Sequence, residues 1–189
     1  MPGRLEKDHE LIKKAQQGDP HAFGDLYENH APAVFRYLFA HLGSSMDAED
    51  LTGEVFLKTW LSLPKYTERG VPFLAFLFRI ARNALVDHYR QNKRVDPVDP
   101  QDMDGYRWEG QPEPAEVVGR NLEEQKMLIT LAKLRPDYQT VLTLRFISEL
   151  SPEETAAVMK RSTGAIRVLQ HRALAAMREE MVKTEKDEA

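Results

Sequence analysis

The sequence predicts an all-α protein of two small helical domains joined by an acidic, proline-rich linker, with a helix-turn-helix in the C-terminal domain. Helix-favouring residues and helix caps run through most of the chain, and no segment shows convincing alternation of apolar and polar residues. Residues 95–119 break this pattern with four prolines, three glycines and seven acids. Such a composition cannot bury a core, which predicts separate domains at 1–94 and 120–189.

The N-terminal domain is predicted to hold helices with recognisable ends. Asp19 before a proline is typical of a helix start, and Gly43 is typical of the end of that helix. The segment DAEDLTGEVFLKTWLSL, which begins at Asp47, predicts the next helix and has to stop before Pro64. A further helix is expected over about 72–93, with an apolar stripe along one side.

The C-terminal domain is predicted to end in a helix-turn-helix. Residues 120–134 and 136–149 favour two helices, and SPEE at 151–154 combines a cap, a first-turn proline and a capping-box glutamate. A short helix to Val158 then meets a four-residue turn, and a final helix spans about 164–181. A short helix, a tight turn and a longer basic helix are typical of this motif.

Charge is unevenly distributed along the chain. The 189 residues carry a formal net charge of −4, yet residues 65–94 sum to +5 and residues 160–178 also sum to +5. Long-range attraction of an acidic chain to nucleic acid is weak, whereas contacts at two basic islands can still be strong. The charge pattern therefore favours local nucleic-acid contacts at these two segments.

Composition and motifs exclude several other kinds of site. The chain has no cysteine, which excludes disulfides and thiolate zinc sites. It shows no histidine pair at metal-ligand spacing, no Gly-rich phosphate loop and no nucleophile motif, so we expect no metal, no cofactor and no enzyme activity. The start lacks a signal peptide, and the most apolar run, residues 73–81, is too short to span a bilayer. We expect a cytoplasmic protein without membrane insertion.

The second predicted helix favours protein docking. Asp47, Asp50 and Glu54 have the spacing i, i+3 and i+7, which brings them near one another on a helix. Leu51 and Phe56 stand beside them. Paired carboxylates can also serve catalysis or metal binding, but no accompanying ligand or nucleophile supports that alternative.

The first basic island is a candidate nucleic-acid surface. One side of its predicted helix is apolar, and the opposite side carries groups that could lie along a phosphate backbone. The preceding loop adds an aromatic ring to positive charge, a combination that suits unstacked single-stranded bases. The candidate residues are Lys65, Tyr66, Arg69, Arg79, Arg82, Asn83, Arg90, Lys93 and Arg94.

The second basic island can bind DNA through the start of its helix. Helical periodicity places an apolar side, from Ile166 to Met177, against the core and leaves guanidinium groups on another side. Guanidinium groups make paired hydrogen bonds to guanine or to phosphate oxygens. A solvated basic helix without a ligand is the plainer alternative. The candidate residues are Lys160, Arg161, Ser162, Thr163, Arg167, Gln170, His171 and Arg172.

Three segments, in their order along the chain, resemble a known family. They are DAEDLTGEVFLKTW (47–60), FLFRIARNALVDHYRQNKR (76–94) and LSPEETAAVMKRSTGAIRVLQHRALAAMR (150–178). With the acidic linker between the second and the third, the chain resembles a bacterial RNA polymerase sigma factor of the extracytoplasmic-function group, in the sigma-seventy family. The resemblance implies a factor that binds core RNA polymerase, directs it to specific promoters and helps to melt the minus-ten element.

The same resemblance implies a role for each segment. Residues 47–60 would dock on the clamp helices of the polymerase β′ subunit, and residues 61–94 would open the minus-ten element and hold its non-template strand. The C-terminal helices would read the minus-thirty-five element of promoter DNA and contact the polymerase β flap. An anti-sigma factor would cover 47–60, 72–94 or both. The family often has glutamine in place of Gly53 and glycine in place of Lys160.

Two other functions fit parts of the pattern. A stand-alone helix-turn-helix regulator would bind an operator without polymerase, commonly as a dimer. That function leaves the unit at 47–94 without a role, and no dimerisation helix is evident in the sequence. A helical adaptor that binds only proteins is the second alternative, and the arginines of both basic islands argue against it.

Overall fold

Nearly all of the described chain is helical. The computed structural model describes residues 2–67, 72–92 and 122–187, with side chains described for 8–67, 72–91 and 126–183. No β-strand occurs among these residues, so the predicted all-α class is confirmed. The predicted linker at 95–119 lies outside them. The helices are α1 (Pro2–Gln16), α2 (Pro20–Leu42), α3 (Ser45–Ser62), α4 (Phe73–Asn92), α5 (Leu122–Ala132), α6 (Pro136–Leu142), α7 (Pro152–Met159) and α8 (Thr163–Asp187).

The ends of α2 and α3 form where the sequence predicts caps. The Asp19 carboxylate accepts hydrogen bonds from two backbone N–H groups of the first turn of α2, at 2.9 and 3.3 Å. Gly43 ends α2 in the left-handed conformation, with φ of 72°, which glycine adopts without steric cost. The Ser44 hydroxyl then accepts from the N–H of Asp47 and caps α3. A two-residue connection therefore joins the two helices.

α2 is the centre of the N-terminal domain, in contact with α1, α3 and α4. Leu26 and Leu38 are fully buried along it, and burial of each such side chain contributes about 1.5–3 kcal/mol. A polar contact ties α1 to this core, because His30 Nε2 lies 3.0 Å from Asp8 Oδ2. The His30 ring also packs edge-on against Phe73 of α4, at 5.6 Å between centroids. These contacts fix three helices against α2.

The predicted helix-turn-helix is present as α7, a short turn and α8. At the start of α7 the capping box is complete: Glu154 N–H donates to the Ser151 hydroxyl at 3.1 Å, and Ser151 N–H donates to the Glu154 carboxylate at 2.6 Å. Lys160 ends α7 in the left-handed conformation, with φ of 54°, where glycine would be unstrained. The Ser162 hydroxyl caps α8, and Ile166 is fully buried on its inner side.

Two helix boundaries differ from those the sequence predicts. The helix expected to reach residue 149 ends as α6 at Leu142 and continues as a π-helical turn, Thr143–Ile147, closed by a hydrogen bond from Ser148 N–H to Thr143 O. Propensity alone does not distinguish such a turn from an α-helix. The final helix runs on to Asp187 because neither proline nor glycine interrupts it.

The two helical domains pack against each other. α4 contacts α7, and α2 contacts α5, α6 and the π-helical turn. We name the contact between the domains the seam. It brings Tyr37 close to Thr140 and His41 close to Gln139, and Arg82 lies within electrostatic range of Tyr37 and His41. The structure is thus a closed arrangement in which one domain covers part of the other.

Candidate nucleic-acid and protein interfaces

The inner side of α3 is buried against α2. Leu51 and Phe56, which the sequence analysis assigned to a docking face, are only 4% and 3% exposed. The Phe56 ring packs edge-on against Tyr27 of α2, at 4.7 Å between centroids. The helical period turns both side chains inward, so they hold α3 in place and do not lie on its surface. Asp47, at the start of the helix, is half-buried.

The outer side of α3 combines acids with exposed apolar side chains. Asp50 and Glu54 are exposed there, in agreement with the sequence analysis. Met46, Leu57 and Leu61, which were not predicted to lie on a docking face, are 69%, 60% and 70% exposed. Helical spacing could have predicted that these residues lie together, because positions 46, 50, 57 and 61 fall on one side of a helix. We name these five residues the α3 face.

The outer side of α4 carries three of the predicted nucleic-acid residues. Arg79, Asn83 and Arg90 are exposed along one stripe, at positions i, i+4 and i+11. The Arg79 guanidinium lies over the ring of Phe76, 5.7 Å from its centroid, which restricts where the arginine can point. Arg90 Nη1 lies 3.8 Å from Asp87 Oδ1, one turn earlier in the helix. This stripe is accessible to the phosphate backbone of a duplex or to single-stranded DNA.

Arg82 lies in the seam and not on the outer side of α4. Its side chain is buried within electrostatic range of Tyr37 and His41. Burial is the largest cause of the pKa shifts of these two groups: it raises the pKa of the Tyr37 phenol to about 12 and helps to lower that of the His41 imidazole to about 3. Tyr37 and His41 are buried beside Thr140 and Gln139, whose side chains act on their pKa values through hydrogen bonding, but Tyr37 Oη and His41 Nε2 make no hydrogen bond of good geometry in the described residues. The polar contacts across the seam are therefore weak.

The loop before α4 places its aromatic ring in the core. Tyr66 is 9% exposed and packs against Phe76 at 4.7 Å between centroids. Its backbone oxygen accepts a hydrogen bond from Gln16 Nε2 at 2.8 Å. The ring supports α4 in this structure and is not an open platform for bases, in contrast to the sequence analysis. Lys65 is exposed. The candidates outside the described side chains are Arg69, Lys93 and Arg94.

The outer side of α8 is basic. The predicted residues at its surface are Lys160, Ser162, Arg167, His171 and Arg172, and Thr163 is half-buried. Residues 163–178 contain no acid. Val168, which the sequence analysis did not single out, is 53% exposed among these groups. The start of α8 therefore presents positive charge around a small apolar patch.

Two predicted DNA-contact residues are held by bonds inside the C-terminal domain. Arg161 Nη2 lies 2.6 Å from Asp137 Oδ2, whose side chain is 5% exposed. Gln170 Oε1 accepts a hydrogen bond from Arg145 Nε at 3.0 Å. Breaking a buried ion pair costs about 3–5 kcal/mol, so Arg161 serves first to hold the turn against α6. Sequence separation hid both partners, which lie 24 and 25 residues away.

The described residues contain neither a membrane span nor a cluster of metal ligands. No helix among them is long and apolar enough to cross a membrane. No group of three acidic, histidine or cysteine side chains in the same part of the chain could hold a metal ion.

Comparison with known proteins identifies the family. The chain matches the family model of sigma-70 region 2 over residues 26–95 and that of sigma-70 region 4 over residues 130–179. The first match contains α3 and α4, and the second contains the helix-turn-helix. The chain belongs to the extracytoplasmic-function (ECF) group of the sigma-70 family, as its relatives below agree.

Two curated relatives carry that description over most of this chain. The chain is 37% identical over 166 residues to the ECF RNA polymerase sigma factor BldN of Streptomyces coelicolor, covering 87% of this chain and 62% of BldN. It is 36% identical over 176 residues to the ECF RNA polymerase sigma factor SigD of Mycobacterium tuberculosis, covering 91% of this chain and 82% of SigD. Sigma factors are transcription initiation factors that bind core RNA polymerase and direct it to promoters, and that is the function of this family member.

Two solved structures have a similar fold across both domains. CnrH, in complex with the cytosolic domain of CnrY, has a TM-score of 0.69 and 26% identity, covering 92% of this chain and 96% of CnrH. The sigma factor RpoE of Bartonella quintana, in complex with the anti-sigma factor NepR, has a TM-score of 0.66 and 26% identity, covering 84% of this chain and 96% of RpoE. The confirmed fold is therefore that of a two-domain sigma factor.

Proposed function

We propose that the chain binds core RNA polymerase through the α3 face. Leu57 and Leu61 are large apolar side chains that remain exposed in the closed arrangement. Exposed apolar side chains rimmed by charge are typical of protein interfaces, and the acids Asp50 and Glu54 supply that rim. The partner surface would be basic and partly apolar, which fits the β′ clamp helices that the family resemblance implies.

The outer side of α8 is proposed to read the minus-thirty-five element. The observation that carries this assignment is the exposure of Arg167, His171 and Arg172 on the second helix of a helix-turn-helix. Arginine reads guanine through paired hydrogen bonds and also neutralises phosphates. The exposed stripe of α4, with Arg79 and Asn83, is proposed to bind the minus-ten element.

The closed arrangement has to open for both promoter elements to be bound at once. A compact chain of 189 residues is about 40 Å across. The position numbers of the minus-ten and minus-thirty-five elements place them about 25 base pairs apart, which is about 85 Å of B-form DNA. The 29 residues at 93–121 can reach at most about 105 Å. Opening therefore allows the two domains to reach both elements.

The DNA assignment is tested with the holoenzyme formed from this chain and core RNA polymerase. Duplexes bound by the holoenzyme would first be selected from a random pool. Arg167→Ala should then weaken binding of the selected duplex by about 10- to 100-fold, because a good arginine–guanine pair contributes about 1–3 kcal/mol of discrimination. Arg178→Ala, which removes the same charge three turns along α8, is the matched control. Equal, small effects of the two variants would contradict the assignment.

The finer parts of the function are also proposals. Melting of the minus-ten element needs binding energy and no catalytic group, so we propose that the chain acts without enzymatic activity of its own. A factor that works on polymerase and promoters is expected in the cytoplasm, where both are found. An anti-sigma factor that covered the α3 face would block polymerase binding directly.

A further inference from the structure

We infer that Val168 reads the 5-methyl group of a thymine in the upstream promoter element. The inference rests on the proposed function of α8 and adds thymine to the bases that this helix recognises. Arginine contacts account for guanines and phosphates, but the major groove also displays one apolar group, the thymine methyl. A sigma factor that reads this group needs an exposed aliphatic side chain at the centre of its reading helix.

Val168 occupies that central position. Ile166 and Ala173 are fully buried and define the inner side of α8. Positions 164, 168, 171 and 175 form the line farthest from that inner side, because helical neighbours recur every three or four residues. Val168 is 53% exposed on this line, one turn after the start of the helix. The first turns of such a helix are the ones that meet base edges.

The residues around Val168 leave room for a base pair and carry positive charge that attracts the DNA phosphate backbone. Gly164, one turn earlier, has no side chain, and a Cβ built there would meet no atom within 4 Å. Ala175 continues the same line with a single methyl group. Arg167 and Arg172 are exposed on either side. A groove edge can therefore approach the Val168 methyl groups closely while the two guanidinium groups contact guanine or phosphate.

Folding of the chain does not explain an exposed valine at this position. Valine is a weaker helix former than alanine or lysine, because its β-branched side chain loses rotamer freedom in a helix. Its exposed half gains nothing from burial in the free protein. Val182 on the same helix is similarly exposed, at 50%, but lies 14 residues along, about 21 Å away. It provides a comparison in the same helix, outside the reading turns.

The inference is tested by combining a protein change with loss of one methyl group from DNA. The holoenzyme is used with the duplex selected above, and each thymine of the upstream element is replaced in turn by deoxyuridine. We expect one replacement to weaken binding by wild type about fourfold, the effect of about one buried methyl group. The same replacement should not weaken binding by Val168→Ala, because that variant has already lost the contact. Val168→Thr keeps a methyl group and should retain the sensitivity.

The controls separate this inference from the proposed function of α8. Val182→Ala should keep the full sensitivity of wild type to deoxyuridine. If no replacement couples to Val168→Ala, or if the selected upstream element contains no thymine, the inference is overturned. Arg167→Ala would still weaken promoter binding in that case, so the proposed role of α8 would stand. If Arg167→Ala also had no effect, the proposed role itself would fail.

Discussion

The α3 face and the side of α4 proposed to bind DNA differ in how much of each is exposed in the closed arrangement. The α3 face shows Leu57 and Leu61 to solvent at 60% and 70% exposure. On α4, Arg79 and Asn83 are exposed, but Arg82 is buried in the seam. The proposed polymerase surface is thus exposed in the free chain, whereas part of the proposed DNA surface is buried. The difference favours an order in which polymerase binds first and DNA second.

The polar contacts of the seam are weak. Tyr37 Oη and His41 Nε2 are buried beside Thr140 and Gln139 but make no hydrogen bond of good geometry among the described residues. An unsatisfied buried group costs about 1–3 kcal/mol, which lowers the free energy needed to separate the domains. Polymerase binding can supply energy of that size. The closed arrangement also keeps Arg82 away from random DNA, in line with a net charge of −4.

The largest expected effect is on polymerase binding by the α3 face. Leu57→Ser combined with Leu61→Ser should weaken binding to core RNA polymerase by about 100-fold, or about 2.7 kcal/mol, as expected when central apolar contacts are removed. Because both side chains are exposed, the thermal midpoint of the free chain should hardly change. Affinity is measured by fluorescence anisotropy. Val182→Ser, at an exposed apolar position of α8, is the control; an equal loss there would refute a specific α3 face.

A smaller effect is expected from forcing the seam apart. Thr140→Lys adds length and a positive charge beside the buried Tyr37, and overpacking of this kind costs about 1–3 kcal/mol. Binding of the free chain to random single-stranded DNA should tighten about tenfold as Arg82 becomes available. Gln17→Lys adds the same charge at an exposed site away from the seam. If both variants bind DNA equally well, charge alone explains the gain and the seam does not cover the DNA surface.

The seam should also respond to acid through His41. Burial, with a smaller contribution from Arg82, holds the pKa of this imidazole at about 3 in the closed form, against an ordinary value of about 6.5. Protonation is thus favoured in any form that exposes the ring. The closed form is most favoured above about pH 6.5 and loses up to about 1.4 kcal/mol per pH unit below it. Interdomain energy transfer between pH 7.5 and 5 measures this, and His41→Gln should flatten the profile.

The smallest expected effect comes from the Tyr37 hydroxyl. Tyr37→Phe removes a buried hydroxyl that makes no hydrogen bond of good geometry in the described residues and leaves the ring in place. The closed form should become more stable by up to about 1 kcal/mol, because only a weak contact with Thr140 is lost and a desolvation cost disappears. The thermal midpoint should rise and DNA binding by the free chain should weaken slightly. A fall in the midpoint would show that the hydroxyl is satisfied.

Local features of the fold were predictable from sequence, and contacts between distant segments were not. The caps at Asp19, Gly43 and Ser151 depend on neighbouring residues, so their positions could be predicted. Arg82 and Tyr66 lie on segments that the sequence predicts to bind DNA, but their burial depends on packing that no local pattern encodes. The same holds for the exposed Leu57 and Leu61, whose helical spacing was visible while the identity of the inner side was not.

The most direct test of the account is the distance between the two domains with and without polymerase. The chain has no cysteine, so a dye pair can be attached at Glu28→Cys of α2 and Glu153→Cys of α7, both exposed. We predict efficient energy transfer in the free chain and a large loss on addition of core RNA polymerase, before any DNA is present. A pair at Glu28→Cys and Glu49→Cys, within one domain, should not change. Low transfer in the free chain, or unchanged transfer in the holoenzyme, would contradict the account.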